Sequence, residues 1–279
     1  MDDLVTTDWL ARTLGADDLA IVDSSMFMPA DQRDPAAEFL AAHIPGARFL
    51  DIGEVVDRNH PAPHMLPSAA EFGAAIVALG VGRDDRIIVY DNSPLRTAAR
   101  GWFMLRHFGA ERVAILDGGL QKWRREGRPV ESGPASPRTA RFDARAGRGE
   151  VVNKAEVIAS VELPLVDARG KPRFEGSEPD PRPGIAPGHI PGSRNLPYAA
   201  LYRDDGTFKS EAASRAEFEA AGVDPAAPFI ASCGSGVTAN SLIFAASRLG
   251  GRGQKLYDGS WSEWGADPAT PKELGPARP

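Results

Sequence analysis

The chain has 279 residues, of which 42% are hydrophobic, so it can form one large domain or two of ordinary size with normal cores. Charged residues make up 25% and the formal net charge is −6, which argues against a nucleic-acid-binding protein because such proteins usually present a basic face. No apolar run reaches the roughly 18 residues of a transmembrane helix, so no membrane partner is expected.

An internal repeat runs through the chain. Four landmarks recur in the same order: a short strand with an aspartate at its end, a His-Ile-Pro-Gly motif, a second strand and an Asp-Gly turn. They lie at residues 19–23, 43–46, 86–91 and 117–118 in the first copy, and at 164–168, 189–192, 228–233 and 258–259 in the second. Corresponding landmarks are 141 to 146 residues apart, and this near-constant offset predicts two domains of one architecture.

Helical segments alternate with the strands. Residues 68–79 are predicted to form a helix, with Ser68 as N-cap, Glu71 at the capping-box position and Gly80 beyond the end. Further helices are predicted at 96–108, 214–221 and 239–249, and a further strand at 113–116. This alternation indicates a parallel sheet covered by helices on both faces in each copy, and such sheets bind ligands at the carboxyl ends of their strands.

Residues 124–149 lie between the two copies. They contain several prolines, glycines and arginines and show no periodicity. We interpret them as an extended linker that runs over the surface, or as a loosely packed part of the first domain. The boundary is predicted near residue 145, which gives domains at 1–145 and 146–279.

The only cysteine, Cys233, lies where a predicted strand ends and a helix begins. Gly234 and Gly236 allow successive N–H groups to turn toward one atom, and the helix adds the positive end of its dipole. Both effects favour an anion such as a thiolate. A lone cysteine is more often buried and inert, but this setting favours a nucleophile. The absence of a disulfide partner, together with an N-terminus that lacks a secretion signal, predicts a cytoplasmic protein.

Three other uses of a cysteine loop fit less well. A phosphatase loop would carry an arginine six residues after the cysteine, where this chain has Ala239. A dithiol mechanism needs a second cysteine, which the sequence lacks. A cysteine hydrolase needs a histidine base, which could come from elsewhere in the chain, so that class stays open. The loop favours sulfur chemistry, in which a thiolate holds a sulfur atom as a persulfide.

The loop 233–238, Cys-Gly-Ser-Gly-Val-Thr, resembles the active-site loop of the 3-mercaptopyruvate sulfurtransferases, which belong to the rhodanese superfamily. Thiosulfate-using rhodaneses are similar but usually carry basic residues just after the cysteine. The resemblance spans residues 3–266 and implies an α/β fold of two tandem rhodanese-like domains, each a central, mainly parallel sheet flanked by helices. It also implies that only the second domain is catalytic, in agreement with Asp91 at the place of Cys233 in the first copy.

Residues 173–182, Arg-Phe-Glu-Gly-Ser-Glu-Pro-Asp-Pro-Arg, are predicted to form a loop at the same sheet edge as Cys233. Arg173 and Arg182 on such a loop could bind a carboxylate and a ketone oxygen, although loop arginines are more often simply solvated. The segment resembles a motif of the same family, with Asp180 where glutamate is usual. That resemblance implies that both arginines bind substrate.

The resemblance also assigns a catalytic part to Ser235, together with a histidine and an aspartate from the first domain. The matching histidine is His43, which precedes the first Ile-Pro-Gly motif. For its aspartate partner we prefer Asp34 to Asp31. The repeat of the motif at His189 is expected to be structural only.

Two further histidines, His60 and His64, are four residues apart, but the prolines around them exclude a helical pair, so no metal site is predicted. Backbone N–H groups of the cysteine loop are expected to contact the substrate or the persulfide. The loop residues concerned are Gly234, Gly236, Val237 and Thr238.

The sequence therefore predicts an enzyme that moves sulfur from 3-mercaptopyruvate through a Cys233 persulfide to an acceptor thiol, such as that of a thioredoxin-like protein, or to cyanide, releasing pyruvate. Neither a metal nor an organic cofactor is needed, because the thiol carries the transferred group. The nearest alternative is a thiosulfate sulfurtransferase. A more distant one is a non-enzymatic persulfide carrier or sensor. No heptad repeat or large apolar stripe is present, so a monomer is expected.

Overall fold

The computed structural model describes residues 1–145, 147, 150–159 and 163–278. The chain divides into two compact units. The first unit consists of Met1–Val56, Leu66–Arg148 and Asp204–Phe208, and the second of Asp57–Met65, Gly149–Arg203 and Lys209–Pro279. The short segment 57–65 therefore belongs to the second unit, although it precedes most of the first in sequence. The predicted domain boundary falls at Ala146, which lies outside the described residues, as does Pro279.

The first unit contains a five-stranded parallel sheet among its described residues. Its strands are β1 (Leu4–Val5), β2 (Leu19–Asp23), β3 (Ala47–Phe49), β4 (Arg86–Tyr90) and β5 (Val113–Leu116). Its helices are α1 (Thr7–Thr13), α2 (Pro35–Ala41), α3 (Ala69–Ala78), α4 (Ala98–His107) and α5 (Gly119–Arg125), with a 3₁₀ turn at Pro29–Asp31.

The second unit contains a corresponding sheet among its described residues. Its strands are β6 (Val151–Val152), β7 (Leu165–Asp167), β8 (Arg194–Asn195), β9 (Ile230–Ser232) and β10 (Lys255–Tyr257). Its helices are α6 (Lys154–Ala159), α7 (Lys171–Glu175), α8 (Glu211–Ala220), α9 (Ala239–Arg248) and α10 (Ser260–Trp264), with a 3₁₀ turn at Tyr198–Leu201.

The two sheets have the same topology. The strand order is β1-β5-β4-β2-β3 in the first unit and β6-β10-β9-β7-β8 in the second, and the described strand pairs are parallel. The α/β fold and the repeat predicted from the sequence are therefore confirmed. The central strands β4 and β9 are almost wholly buried, as expected for a parallel sheet with both faces covered. Asp91 follows β4, and Cys233 follows β9.

Helix boundaries follow from local capping chemistry. The predicted capping box before α3 is present, because Ser68 accepts from the Glu71 amide and the Glu71 carboxylate accepts from the Ser68 amide. The predicted start of α8 at Ser214 is wrong. The helix begins one turn earlier, where Ser210 caps it by accepting from the amide of Ala213, and Ser214 lies buried within it.

The segment predicted as a linker begins later than residue 124, since Arg124 lies in the last turn of α5. Its described residues pack against the first unit. Phe142 is buried and meets the ring of Phe72 edge-on at 5.9 Å, and the Arg138 guanidinium pairs with Asp85 at 2.6 Å. Elsewhere in the fold, none of the described helices has the length and apolarity needed to cross a bilayer.

Candidate active site

The loop between β9 and α9 carries Cys233 at the carboxyl end of the central strand. The cysteine is buried, with 1% of its surface exposed. Gly236 has φ +72°, and a Cβ at this position would lie 2.5 Å from the carbonyl oxygen of Asp258. Only glycine fits here, because the loop must turn in a left-handed conformation against the β10–α10 connection.

Ser260 fixes this turn from the opposite side. Its Oγ accepts hydrogen bonds from the amides of Cys233 and Gly236, each at 3.1 Å, and donates to the carbonyl of Tyr257 at 2.7 Å. Ser260 itself has φ +50°, which is unfavourable for a residue with a side chain. The hydroxyl explains why a serine is found there. The Gly236 amide, predicted to contact substrate, is thus bonded to Ser260.

The carbonyls of the loop are held by the start of α10. The amide of Trp261 donates to the Cys233 carbonyl at 3.0 Å, and the amide of Ser262 donates to the Gly234 carbonyl at 2.8 Å. Helix N-terminal amides lack partners within the helix, so these bonds satisfy both groups. They leave the loop little freedom to change shape.

The other end of the loop is held by Asn240 in α9. Its Nδ2 donates to the carbonyls of Gly236 at 2.7 Å and Val237 at 2.8 Å. Val237 is buried, and Thr238 is the N-cap residue of α9 without a side-chain capping bond. The described contacts give Val237 and Thr238 a place in the backbone of the loop rather than a side-chain function.

Ser235 joins the loop to two ionisable side chains. Its Oγ lies 2.9 Å from Nδ1 of His64 and accepts from Nη2 of Arg182 at 3.0 Å. Because the oxygen accepts from the arginine, its own proton is available for a neutral imidazole. His64 has φ +62°, a conformation that is rare outside glycine and that often marks a functional position.

The two arginines of the predicted substrate site lie beside the same loop. A Cβ at Gly234 would be 3.3 Å from Nη2 of Arg173 and 3.4 Å from Nη1 of Arg182. Asp180 pairs with both guanidiniums, at 2.6 Å from Arg173 and 3.4 Å from Arg182. The two guanidiniums therefore lie beside Gly234, the residue that follows Cys233.

The prediction that Arg173 lies on a loop is wrong. It lies in the short helix α7, which has Pro172 in its first turn and ends at Gly176 with φ +80°. Proline at the start and left-handed glycine at the end are typical of a helix, so both residues indicate helix boundaries rather than a continuous loop.

The first copy differs from the second at the position of the cysteine. Asp91 is buried, and its carboxylate accepts from the amides of Ser93 at 2.9 Å and Ala98 at 2.7 Å. A carboxylate thus fills the anion-binding turn before α4. Burial raises the pKa of Asp91. This copy has no thiol at that position, and its non-catalytic role stays a prediction.

His43 has structural contacts within the first unit. Its Nδ1 is 2.7 Å from the carbonyl of Phe39, and its ring stacks on the Phe39 ring with centroids 4.1 Å apart. His189 makes the same two contacts with Phe174, at 2.9 and 3.8 Å. These matched contacts indicate that both histidines fix the His-Ile-Pro-Gly turn, whereas the family resemblance had implied a catalytic part for His43.

Asp34, predicted as the partner of His43, caps a helix instead. Its Oδ1 accepts from the amides of Ala36 at 2.9 Å and Ala37 at 3.1 Å at the start of α2. Aspartate commonly caps helices in this way, and Asp34 directly precedes Pro35, the first residue of α2. The contacts of Asp34 are therefore those of a helix cap.

His60 and His64 have separate partners. Nε2 of His60 is 3.8 Å from Oε1 of Glu263, whereas His64 meets Ser235. In the part of the chain that the structure describes, no group of three or more His, Cys, Asp or Glu side chains is placed to hold a metal ion.

Comparison with known proteins shows the family of this chain. The rhodanese-like domain family matches residues 6–126 and 150–267. The chain belongs to the rhodanese family. The 3-mercaptopyruvate sulfurtransferase of Escherichia coli K12 is 42% identical over 273 residues, which cover 96% of this chain and 97% of the relative. The thiosulfate sulfurtransferase of Bos taurus is 40% identical over 271 residues, covering 94% and 91%.

The rhodanese assignment extends to solved structures. The crystal structure of SseA from Escherichia coli, a 3-mercaptopyruvate sulfotransferase, matches with a TM-score of 0.86 and 39% identity, covering 94% of this chain and all of that one. The predictions of two tandem rhodanese-like domains and of a sulfurtransferase enzyme are therefore confirmed. Three residues of this rhodanese site, namely His64, Ser260 and Asn240, had no assigned part in the sequence analysis.

Proposed function

We propose that this enzyme transfers sulfur from 3-mercaptopyruvate through a Cys233 persulfide to a thiol acceptor or to cyanide. The observation that carries the proposal is that three consecutive residues of one loop bring a thiol, two guanidiniums and an imidazole together. Cys233 supplies the thiol, Gly234 lies beside two guanidiniums, and Ser235 contacts an imidazole. The 3-mercaptopyruvate sulfurtransferases among the relatives support the same donor.

The donor is an α-keto acid with a carboxylate and a ketone next to each other. Arg173 and Arg182 present planar donor groups, which suit such oxygen pairs better than a lysine would. Both side chains are about one quarter exposed, at 27% and 26%, so they are accessible yet only partly screened by water. They would hold the carboxylate and ketone so that the sulfur of the donor faces Cys233.

The first step is attack of the Cys233 thiolate on the donor sulfur. An S–S bond forms, the C–S bond breaks, and its electron pair passes to carbon to give the enolate of pyruvate. The proton of the donor thiol ends on the methyl carbon of pyruvate, so charge and atoms balance. The guanidiniums stabilise the enolate oxygen as its charge develops.

The proton transfer is the part that Ser235 and His64 would perform. His64 can take up the proton of the donor thiol, and the Ser235 hydroxyl can then donate its own proton to the enolate carbon while it regains one from His64 across the 2.9 Å contact. Arg182, which donates to the same oxygen, would hold the hydroxyl in place. On this basis His64, rather than His43, is the histidine of the reaction.

The second step removes the outer sulfur of the persulfide. A thiol or cyanide attacks it and leaves the Cys233 thiolate, so the two substrates react in turn in a ping-pong scheme. Loop N–H groups other than those of Cys233 and Gly236, which donate to Ser260, would stabilise the anionic persulfide before the acceptor arrives. An acceptor of the thioredoxin type, a monomeric state and a cytoplasmic location stay predictions from the sequence.

Thiosulfate is the second candidate donor, because the bovine thiosulfate sulfurtransferase is 40% identical to this chain and cationic groups also attract a dianion. Initial rates with each donor, with cyanide as acceptor, distinguish the two. We expect kcat/KM for 3-mercaptopyruvate to exceed that for thiosulfate by at least about tenfold. A preference for thiosulfate would reverse the assignment of the donor. If neither donor is turned over while Cys233 still takes up sulfur, the protein is a persulfide carrier.

The substitution His64→Asn tests the proton transfer. Asparagine tolerates the positive φ of this position, but its amide cannot act as an acid or base near neutral pH. We therefore expect kcat with 3-mercaptopyruvate to fall by about a hundredfold. The value of kcat with thiosulfate should fall much less, because sulfite leaves as a stable anion that needs no proton. Steady-state rates with both donors measure the difference, and His60→Asn on the same segment is the control. Equal losses with both donors would contradict the role of His64. A donor-dependent loss in His43→Gln instead would return that role to His43.

A further inference from the structure

A buried carboxylate lies between the two substrate-binding arginines. Asp180 has only 1% of its side chain exposed. Its Oδ2 accepts from Nη2 of Arg173 at 2.6 Å, and its Oδ1 accepts from the backbone amide of Arg182 at 3.1 Å, with Nη1 of Arg182 3.4 Å away. Asp180 thus contacts both cations that the proposed mechanism uses for the donor.

Asp180 leaves part of each guanidinium available. On Arg173 it binds Nη2, while the buried Nε has no hydrogen-bond partner among the described residues. On Arg182 it approaches Nη1, while Nη2 donates to Ser235. The carboxylate therefore orients both side chains without occupying all of their donors.

Asp180 also sets the charge of the site. Two guanidiniums and one carboxylate leave a single net positive charge beside Gly234. That charge matches a donor with one negative charge, such as the carboxylate of an α-keto acid. A dianion is attracted to the arginines more strongly than a monoanion is, but Asp180 also repels it more strongly. Partial burial of these side chains limits the screening of that repulsion by solvent.

We propose that Asp180 determines donor specificity, by lowering the positive charge of the arginine pair so that a singly charged donor is preferred to a dianion. The proposal rests on the proposed function, since it concerns the choice between 3-mercaptopyruvate and thiosulfate. It adds a charge-based selection that is separate from the neutral residues after Cys233. Asp180 is a specificity-determining and positioning residue and takes no part in bond making.

The test compares Asp180→Asn with Asp180→Glu. Asparagine keeps an acceptor of the same shape but removes the charge, so the ratio of kcat/KM for thiosulfate to kcat/KM for 3-mercaptopyruvate should rise about tenfold, mainly through a lower KM for thiosulfate. Glutamate keeps the charge and should leave the ratio within about twofold. A merely structural residue would lower both activities together and leave the ratio unchanged, which would overturn the proposal.

A binding measurement keeps the proposal testable if Asp180→Asn folds poorly. Titration of the wild-type protein with pyruvate and with sulfate, followed by calorimetry, compares a monoanion and a dianion without turnover. Pyruvate should bind more tightly, and tighter binding of sulfate would overturn the proposal. If the wild type turns over neither donor, the proposed function fails while this titration still reports the charge preference. If 3-mercaptopyruvate is turned over but Asp180→Asn leaves the ratio unchanged, only the role of Asp180 fails.

Discussion

Cys233→Ser is expected to abolish sulfur transfer, lowering kcat by at least about a thousandfold with either donor. A serine hydroxyl is a far weaker nucleophile than a thiolate at neutral pH, and no persulfide can form on oxygen. The chain has no second cysteine to take over the reaction. Steady-state rates measure the loss, and intact mass spectrometry after incubation with 3-mercaptopyruvate should show one added sulfur atom on the wild type and none on the variant.

Ser232→Ala is the matched control for this loss. Ser232 immediately precedes Cys233 and is equally buried, yet its hydroxyl has no hydrogen-bond partner among the described residues. Removal of that hydroxyl should leave kcat within about threefold, because no bond is lost. Addition of sulfur to Cys233→Ser, or a comparable loss of activity in Ser232→Ala, would contradict the assignment of Cys233 as the carrier.

The fold could be predicted because its determinants are local and occur twice. Short apolar strands ending in aspartate, and helices with clear caps, recur with one offset, and a parallel sheet is the arrangement that buries such strands on both faces. The site was predictable where its chemistry lies in one stretch. The residue types and spacing of the loop 233–238 predict a reactive thiol, whereas Arg173 and Arg182 lie in a separate stretch and were assigned to substrate through its family resemblance.

The remaining parts of the site depend on tertiary contacts that spacing does not encode. His64 reaches Ser235 across 171 residues of chain, and only the folding of the segment 57–65 onto the second unit brings them together. His43 was expected to be catalytic because the family resemblance implies a histidine from the first domain, whereas the recurrence of its motif at His189 is evidence for a structural role. The prolines on either side of His64 were the available signal of a rigid, unusual backbone.

The buried aspartates that end β2 and β7 occupy corresponding positions in the two copies but have different partners. In the first copy, the residue two positions after Asp23 is Ser25 and not an arginine. Burial raises the pKa of Asp23 to about 6. In the second, Asp167 forms a buried ion pair with Arg169 at 2.7 Å, with both side chains 2% exposed. The second copy thus pairs its aspartate with an arginine, which also lies over the ring of Trp261, 4.6 Å from its centroid.

Arg169→Met is therefore expected to destabilise the second unit by about 3–5 kcal/mol, because it leaves the Asp167 carboxylate buried without a counter-charge. The substitution also removes the hydrogen bond from Nη2 to the carbonyl of Gly188 at 2.8 Å. Urea denaturation at pH 7 measures the free energy of unfolding. Hydrogen exchange, read separately for amides of the two units, shows whether the loss is confined to the second, since a two-domain chain need not unfold in one step.

The pH dependence and a double variant identify charge as the cause. A buried aspartate without an arginine should resemble Asp23, whose raised pKa means that its contribution to stability is complete below about 3.8 and is lost as the pH rises through about 6. Arg169→Met should accordingly regain stability as the pH falls from 7 to 5. Asp167→Asn combined with Arg169→Met should recover much of the loss at pH 7, because no charge is then left buried. If the double variant is as unstable as Arg169→Met at both pH values, lost packing against Trp261 rather than the uncompensated carboxylate explains the destabilisation.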